Sequence, residues 1–139
     1  MSGANALLVA IHARLAADPQ LVAMIGTNGS RDRLLPRPVL PALVMGEMET
    51  RDYSTSTEAG DEHRLGLEIW SEAAGRQEAE EIAERVRVLL QDAALILAGH
   101  VLVSLTHERT RTRRQANAKL FAAELRFGAV TEPLEPVSP

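Results

Sequence analysis

The sequence predicts an α+β fold: a four-stranded antiparallel sheet with two main helices packed on one face, and long hairpin arms. Three observations predict it. In Arg64–Trp70, Leu65, Leu67 and Ile69 alternate with Arg64, Gly66 and Glu68, the period of two of a strand with one buried face. From Arg76 the period changes, and Ala79, Ile82, Ala83, Val86, Leu89 and Leu90 form one apolar stripe at helical spacing. An apolar-faced strand followed at once by an apolar-striped helix implies a helix packed on a sheet, a layer pair to which the other elements add.

Taken in order, residues 4–18 read as a helix, with Leu8, Ile11, Leu15 and either Ala4 or Leu7 on a common face. Asp18-Pro19 stops it and starts a short turn, with Asp18 as cap and Pro19 at the first helical position. Leu21, Val22, Met24 and Ile25 give that turn its apolar side, and Gly26 suits its C-terminal cap. Thr27–Pro41, with Pro36, Pro38 and Pro41, reads as a loop. Ala42–Tyr53 reads as a strand, apolar at Leu43, Val44 and Met45 and polar from Glu47 to Asp52. Ser54–Glu62 is a polar loop before the Arg64–Trp70 strand, so the pair forms a hairpin with a buried root and a wet tip.

Ser71–Gly75 breaks the alternation before the main helix. Glu78, Glu80, Glu81 and Glu84 crowd the first half of that helix and Arg85 and Arg87 follow, an order that suits the helix macrodipole. Glu81 and Arg85 form a correctly oriented i, i+4 pair. Asp92–Gly99 is a compact apolar connector. His100–Arg113 alternates again, with Val101, Val103 and Leu105 on one face. Arg114–Ala118 turns, and Lys119–Thr131 is a last strand with Phe121, Ala123, Leu125 and Phe127 together.

The 139 residues fit a single domain over 1–131 followed by a Pro-rich tail at 132–139. A chain of this size buries about 68–70% of its unfolded surface, enough for a core without staples. Hydrophobic and charged residues make up 45% and 24%, ordinary values for a globular protein. Aromatics are only 3%, so the core must be aliphatic and base-stacking platforms are not expected. The absence of cysteine excludes disulfides, thiolate catalysis and zinc–sulfur sites. No apolar run approaches membrane-spanning length, and the N-terminus lacks the basic start of a signal peptide. The expectation is a protein used in a cytoplasm or built into something assembled there.

Charge is unevenly placed. Glu108–Asn117 holds Arg109, Arg111, Arg113 and Arg114 against Glu108 alone, a local +3 that leaves −7 for the rest of a chain whose formal charge is −4. An acidic body bearing one basic loop suits docking onto an acidic surface, another copy of the chain included. A strand of about 12 residues spans roughly 40 Å, whereas a compact domain of this length is roughly 37 Å across. The hairpins are therefore expected to reach or overhang the edge of the body, where they either engage a partner or move as loops.

Catalytic patterns are scarce. His12, His63, His100 and His107 have no metal-ligand spacing. Ser71 and Ser104 lack a glycine-flanked elbow. Gly26–Ser30 is glycine-containing, but no lysine follows as it would in a phosphate loop. The helical glutamates read as a solvated face. The candidate site is the arginine loop, where Arg109, Arg111 and Arg113 alternate with threonines and share one face, able to grip carboxylates or phosphates bidentately. A carboxylate-rich protein neighbour fits it better than nucleic acid, because the chain is acidic and lacks interleaved aromatics. A solvated turn is the remaining alternative. Arg51, Tyr53 and Glu58, at the wet end of the first hairpin, join Arg109, Arg111, Arg113 and Arg114 as expected subunit or tail contacts.

The order of motifs resembles a known family. Ala17-Asp18-Pro19-Gln20-Leu21 and Ile25-Gly26 follow the first helix. Pro41-Ala42-Leu43-Val44 opens a strand, another ends in Ile69-Trp70-Ser71, and Gly75-Arg76-Gln77-Glu78-Ala79 opens a helix containing Ile82-Ala83 and Val86. Gly99-His100 then precedes an Arg-rich hairpin. Over roughly residues 5–131 this resembles the small tail-completion or tail-terminator proteins of siphophage-like particles, including gene transfer agents. The resemblance implies a structural protein without catalysis or cofactor, a ring usually of six copies on the head-proximal end of a tail tube. Its partners would be itself, the tail tube protein and the head–tail connector, with DNA passing through the lumen. A neck component of the same particle, or a nucleic-acid-binding module using Arg109–Arg114, are the other readings. The hairpin tip departs from expectation, since Arg114-Gln115-Ala116-Asn117 lacks an Asp-Gly.

Overall fold

A computed structural model of the chain describes residues 2–26, 30–31, 40–72, 76–115 and 120–134, with backbone only at 30–31. Helix α1 spans Gly3–Ala16, opened by the Ser2 hydroxyl accepting from the Asn5 N–H at 3.1 Å. Its buried stripe is Gly3, Ala6, Leu7, Ile11 and Leu15. Leu7, rather than Leu8, therefore anchors the inner face. Helix α2, Pro19–Ile25, starts as the sequence predicts: Asp18 caps it by accepting from the Leu21 N–H at 2.9 Å, Pro19 takes the first position, and Gly26 at φ 83° ends it. The two helices meet at 87°. Helix α3 covers Gln77–Leu90 and buries all six residues of its predicted stripe.

The strands are β1 (Ser30–Arg31), β2 (Ala42–Asp52), β3 (Asp61–Ser71), β4 (Ile96–Leu97), β5 (His100–Arg114) and β6 (Phe121–Pro133). They form one sheet in the order β1-β2-β3-β6-β5-β4. The four long strands are the expected ones. The expectation of a four-stranded, wholly antiparallel sheet is corrected by two short edge strands. β4 lies within the segment read as a connector, and β1, within the segment read as a loop, pairs parallel to β2 at Leu43 and Val44. The expectation of long hairpin arms is corrected too. β6 is zipped to β3 from Asp61↔Thr131 to Ser71↔Phe121, so the hairpins lie side by side instead of leaving the body. β6 also runs two residues past Thr131. The expected turn at Arg114–Ala118 falls largely outside the described residues, as do most of the Pro-rich loop and most of the tail.

One core cluster joins all three helices to a single sheet face, through Leu43 of β2, Leu65, Leu67 and Ile69 of β3, Leu105 of β5, and Ala123, Leu125, Phe127 and Ala129 of β6. Both main helices thus lie on one face, as predicted. Bulges set the phase of the edge strands. β5 slips between Leu102 and Ser104 and again between His107 and Arg109, and each extra residue reverses the alternation. Leu105 is consequently buried while Val101 and Val103 are exposed, which overturns the expected shared face.

Polar pairs lock the layers together. Arg85 bonds Asp18 bidentately, at 2.6 and 3.0 Å, and so ties α3 to the α1–α2 corner instead of pairing with Glu81. Glu78 accepts from the Ser71 hydroxyl and Glu80 from the Thr112 hydroxyl, both at 2.6 Å, so two of the four helical glutamates reach the sheet. The hydrogen bonds from Arg85 hold the Asp18 carboxyl below its ordinary range. Its stabilising pair is complete above that range and is lost as pH falls through the depressed value. Thermal unfolding at neutral pH should rank wild type above Asp18→Asn, which keeps the cap but loses the charge, and Asp18→Asn above Asp18→Ala, which loses both. An Asn variant as stable as wild type would show that the ion pair contributes nothing.

Candidate assembly interface

The sheet face opposite the helices is where the charged residues collect. The register sets Glu49 opposite Arg64, Arg51 opposite Glu62, Arg111 opposite Glu124 and Arg109 opposite Arg126. Ion pairs cross this face at Arg51–Glu62 (3.0 Å), Arg64–Glu108 (3.3 Å), Arg113–Glu68 (4.0 Å) and Arg126–Glu124 (4.0 Å). Such exposed pairs add little to stability, but they fix how side chains are presented. Toward one end, Val44, Trp70 and Ala122 form a small second cluster with Leu40 and Leu120. Among the described residues, the Trp70 Nε1 and Arg126 Nε donors are buried on this face without a partner.

Arg109, Arg111 and Arg113 do share one face, as their spacing predicts. Arg114 has the opposite parity. Among the described residues, Arg109, Arg111 and Arg114 form no ion pair, and all three are exposed. The arginines are interleaved with Glu68, Glu108 and Glu124, so the face is mixed in sign rather than a basic patch, and it does not suit a phosphate backbone. Arg51, Tyr53 and Glu58 lie at the other end of the sheet, where Arg51 still joins the charged face through its pair with Glu62. Their hairpin tip is closed by the Tyr53 N–H donating to the Gly60 carbonyl (2.8 Å) and the Thr55 N–H to the Glu58 carbonyl (2.8 Å). That tip adjoins the Asp61↔Thr131 end of the β3–β6 ladder, whereas the arginine strand runs out at the Ser71↔Phe121 end. The predicted set is therefore split between opposite ends of the sheet.

Sequence reasoning missed a further exposed apolar group. Ile96 (93% exposed) pairs with Val101 on the short β4–β5 ladder; Val103, two residues on in β5, is exposed too, and so is Leu134 just past β6, whose N–H donates to the Gly99 carbonyl (3.0 Å). Ile96 sits in a Leu- and Ala-rich segment that reads as interior. Only the knowledge that it forms an edge strand would have turned it outward.

Three of the four histidines are held by hydrogen bonds. His100 bonds the Ala98 carbonyl through Nδ1 (3.0 Å), and His107 Nε2 bonds the Thr110 hydroxyl (2.8 Å). His63 is enclosed between two threonines. Among the described residues, no three His, Asp or Glu side chains gather as metal ligands would, and no helix is long and apolar enough to cross a membrane.

The family model described as "Tail completion protein gp17" matches residues 9–132, most of the chain. The chain belongs to that family. A solved structure described as "Virion of native gene transfer agent (GTA) particle" contains a chain similar to this one, 32% identical, with a TM-score of 0.85 over 93% of this chain and 96% of that one. No curated protein sequence matches. Family membership gives the chain a structural role in a phage-type tail, in keeping with a face built of salt bridges and exposed strand edges.

Proposed function

We propose that the chain is a tail-completion protein that caps the head-proximal end of a phage-like tail tube as a ring, ends tube growth and joins the tail to the head connector. The observation that carries this reading is the near end-to-end likeness to one chain of a gene transfer agent virion, within a family described by tail completion. That likeness accounts for nearly all of the described fold. The mixed open face supports contact with protein, and an acidic body suits a lumen through which DNA slides without sticking, because like charge repels phosphate. The ring, a hexamer in this reading, would touch the tail tube protein on one side and the connector on the other.

Particles made without this protein test the reading by electron microscopy. Tubes of uncontrolled length and heads without attached tails are the expected result. Tails of normal length, joined to heads, would overturn it.

A further inference from the structure

We infer that copies of this chain join head to tail through their two free sheet edges, the outer edge of β2 in one copy pairing antiparallel with the outer edge of β5 in the next. This rests on the ring proposed above and names the contact that builds it.

The edges are open over matching lengths. β1 covers β2 only at Leu43 and Val44, so among the described residues nothing pairs with the outer side of Met45–Asp52. On the other margin, β4 covers His100 and Val101. The α3–β4 connector then takes the Leu105 carbonyl with the Asp92 N–H (3.0 Å) and the His107 N–H with the Gln91 Oε1 (2.7 Å). Beyond that, among the described residues, nothing pairs with the outer side of Glu108–Arg114. An edge of unpaired N–H and C=O groups is a template for another strand. The strands alternate in direction from β2 through β3 and β6 to β5, so β2 of one copy meets β5 of an adjacent, similarly oriented copy antiparallel.

The edges also carry opposite charge. Glu108–Arg114 holds four arginines against one glutamate, whereas Met45–Asp52 holds three acids against one arginine. Charges placed only to keep edges apart would work with one sign on both margins; opposite signs attract. Arg109 faces the like-charged Arg126 within its own sheet, and so gains from a carboxylate on its other side. Setting Glu49 opposite Arg109 brings Glu47 opposite Arg111, all four on the open face. In a single copy Arg109 is level with Gly46–Glu47 across the sheet, through Arg126 and Gly66. The pairing therefore slides each copy along its neighbour by about two residues, a stagger of the kind that a closed, tilted sheet requires.

Sedimentation of the full-length chain, alone and with tail tubes, tests this. Glu47→Lys with Glu49→Lys, or Arg109→Glu with Arg111→Glu, should raise the concentration needed for association by roughly tenfold or more, and the four changes together should restore it. Circular dichroism checks that each variant is folded. In this cysteine-free chain, Glu49→Cys with Arg109→Cys should cross-link on oxidation into a ladder of multimers, which either single change cannot extend beyond a dimer. If wild type associates but the charge variants do so equally well and no ladder forms, the edge pairing is wrong while the ring stands. If wild type associates neither alone nor on tubes, ring and edge pairing fall together.

Discussion

Phe127→Ala should cost about 3–5 kcal/mol, the largest loss of any single core truncation in this chain. Phe127 is fully buried at the middle of β6. It stands opposite Leu65 on one side and His107 on the other, with the His107 ring edge-on at 5.4 Å between centroids and 71° between planes. The other Phe, Trp and Tyr rings stand elsewhere: Phe121 at the start of β6, Trp70 in the cluster on the opposite sheet face and Tyr53 exposed at the first hairpin tip. The surrounding Leu and Ala side chains are already packed at interior density, and the cavity would persist. A thermal midpoint lower by roughly 10–20 °C follows for a domain of this size. Val103→Ala is the informative contrast. Simple alternation places Val103 beside Leu105 in the core, yet it is 53% exposed, so its truncation should change stability by no more than about 0.5 kcal/mol. A large loss at Val103 together with a small one at Phe127 would mean that the register of β5 and β6 is wrong.

That contrast shows where the sequence is legible. Residues whose role is settled by their near neighbours are readable. Asp18-Pro19 encodes a helix start because the carboxylate and the fixed proline φ act within one turn. The α3 stripe is readable because a single period holds for fourteen residues. The long strands were located to within a few residues for the same reason. The three misplaced features all depend on contacts between elements distant in sequence. A bulge alters the phase without marking the sequence, so Val101 and Val103 turned outward unannounced. β1 and β4 are two residues each, too short to show any period, and exist only because a partner strand offers an edge. Arg85 has two acids in reach of its sequence pattern, and tertiary packing selected Asp18 over Glu81.

The candidate interface was half legible on the same grounds. The alternation that puts Arg109, Arg111 and Arg113 on one face is local, and it survives because the second β5 bulge lies before Arg109. Their company was invisible: Glu68 comes from β3 and Glu124 from β6, and only the strand order makes the face mixed rather than basic. The length argument for overhanging hairpins failed because it treated each hairpin alone. Two hairpins laid side by side satisfy each other along β3 and β6, and what remains unsatisfied is the outer edge of each rather than its end.

His63 should make the fold sensitive to mild acid. It is fully buried, with Nδ1 bonded to the Thr50 hydroxyl at 2.9 Å and Nε2 to the Thr131 hydroxyl at 2.8 Å, and so bridges β2 and β6 across β3. Above it Gly3 packs so closely that a Cβ there would meet the Thr131 Oγ1 at 2.9 Å. Burial pushes the His63 pKa down, and nearby His100 pushes the same way against the opposing pull of Asp61. The unfolded chain therefore takes up a proton near pH 6.5 while the native one resists it. Stability is full above that pH and falls below it, with a slope of at most about 1.4 kcal/mol per pH unit for one proton. Denaturant unfolding of wild type and of His63→Gln between pH 7.5 and 5.5 separates this group from the other histidines, since the variant should lose the part of the slope that His63 supplies. His63→Ala should cost about 2–4 kcal/mol at neutral pH, from the cavity and from the buried Thr131 hydroxyl left without its partner. Equal slopes in wild type and His63→Gln would mean that the ring takes up its proton in the native state as freely as in the unfolded one, and that the two threonines do not hold it neutral.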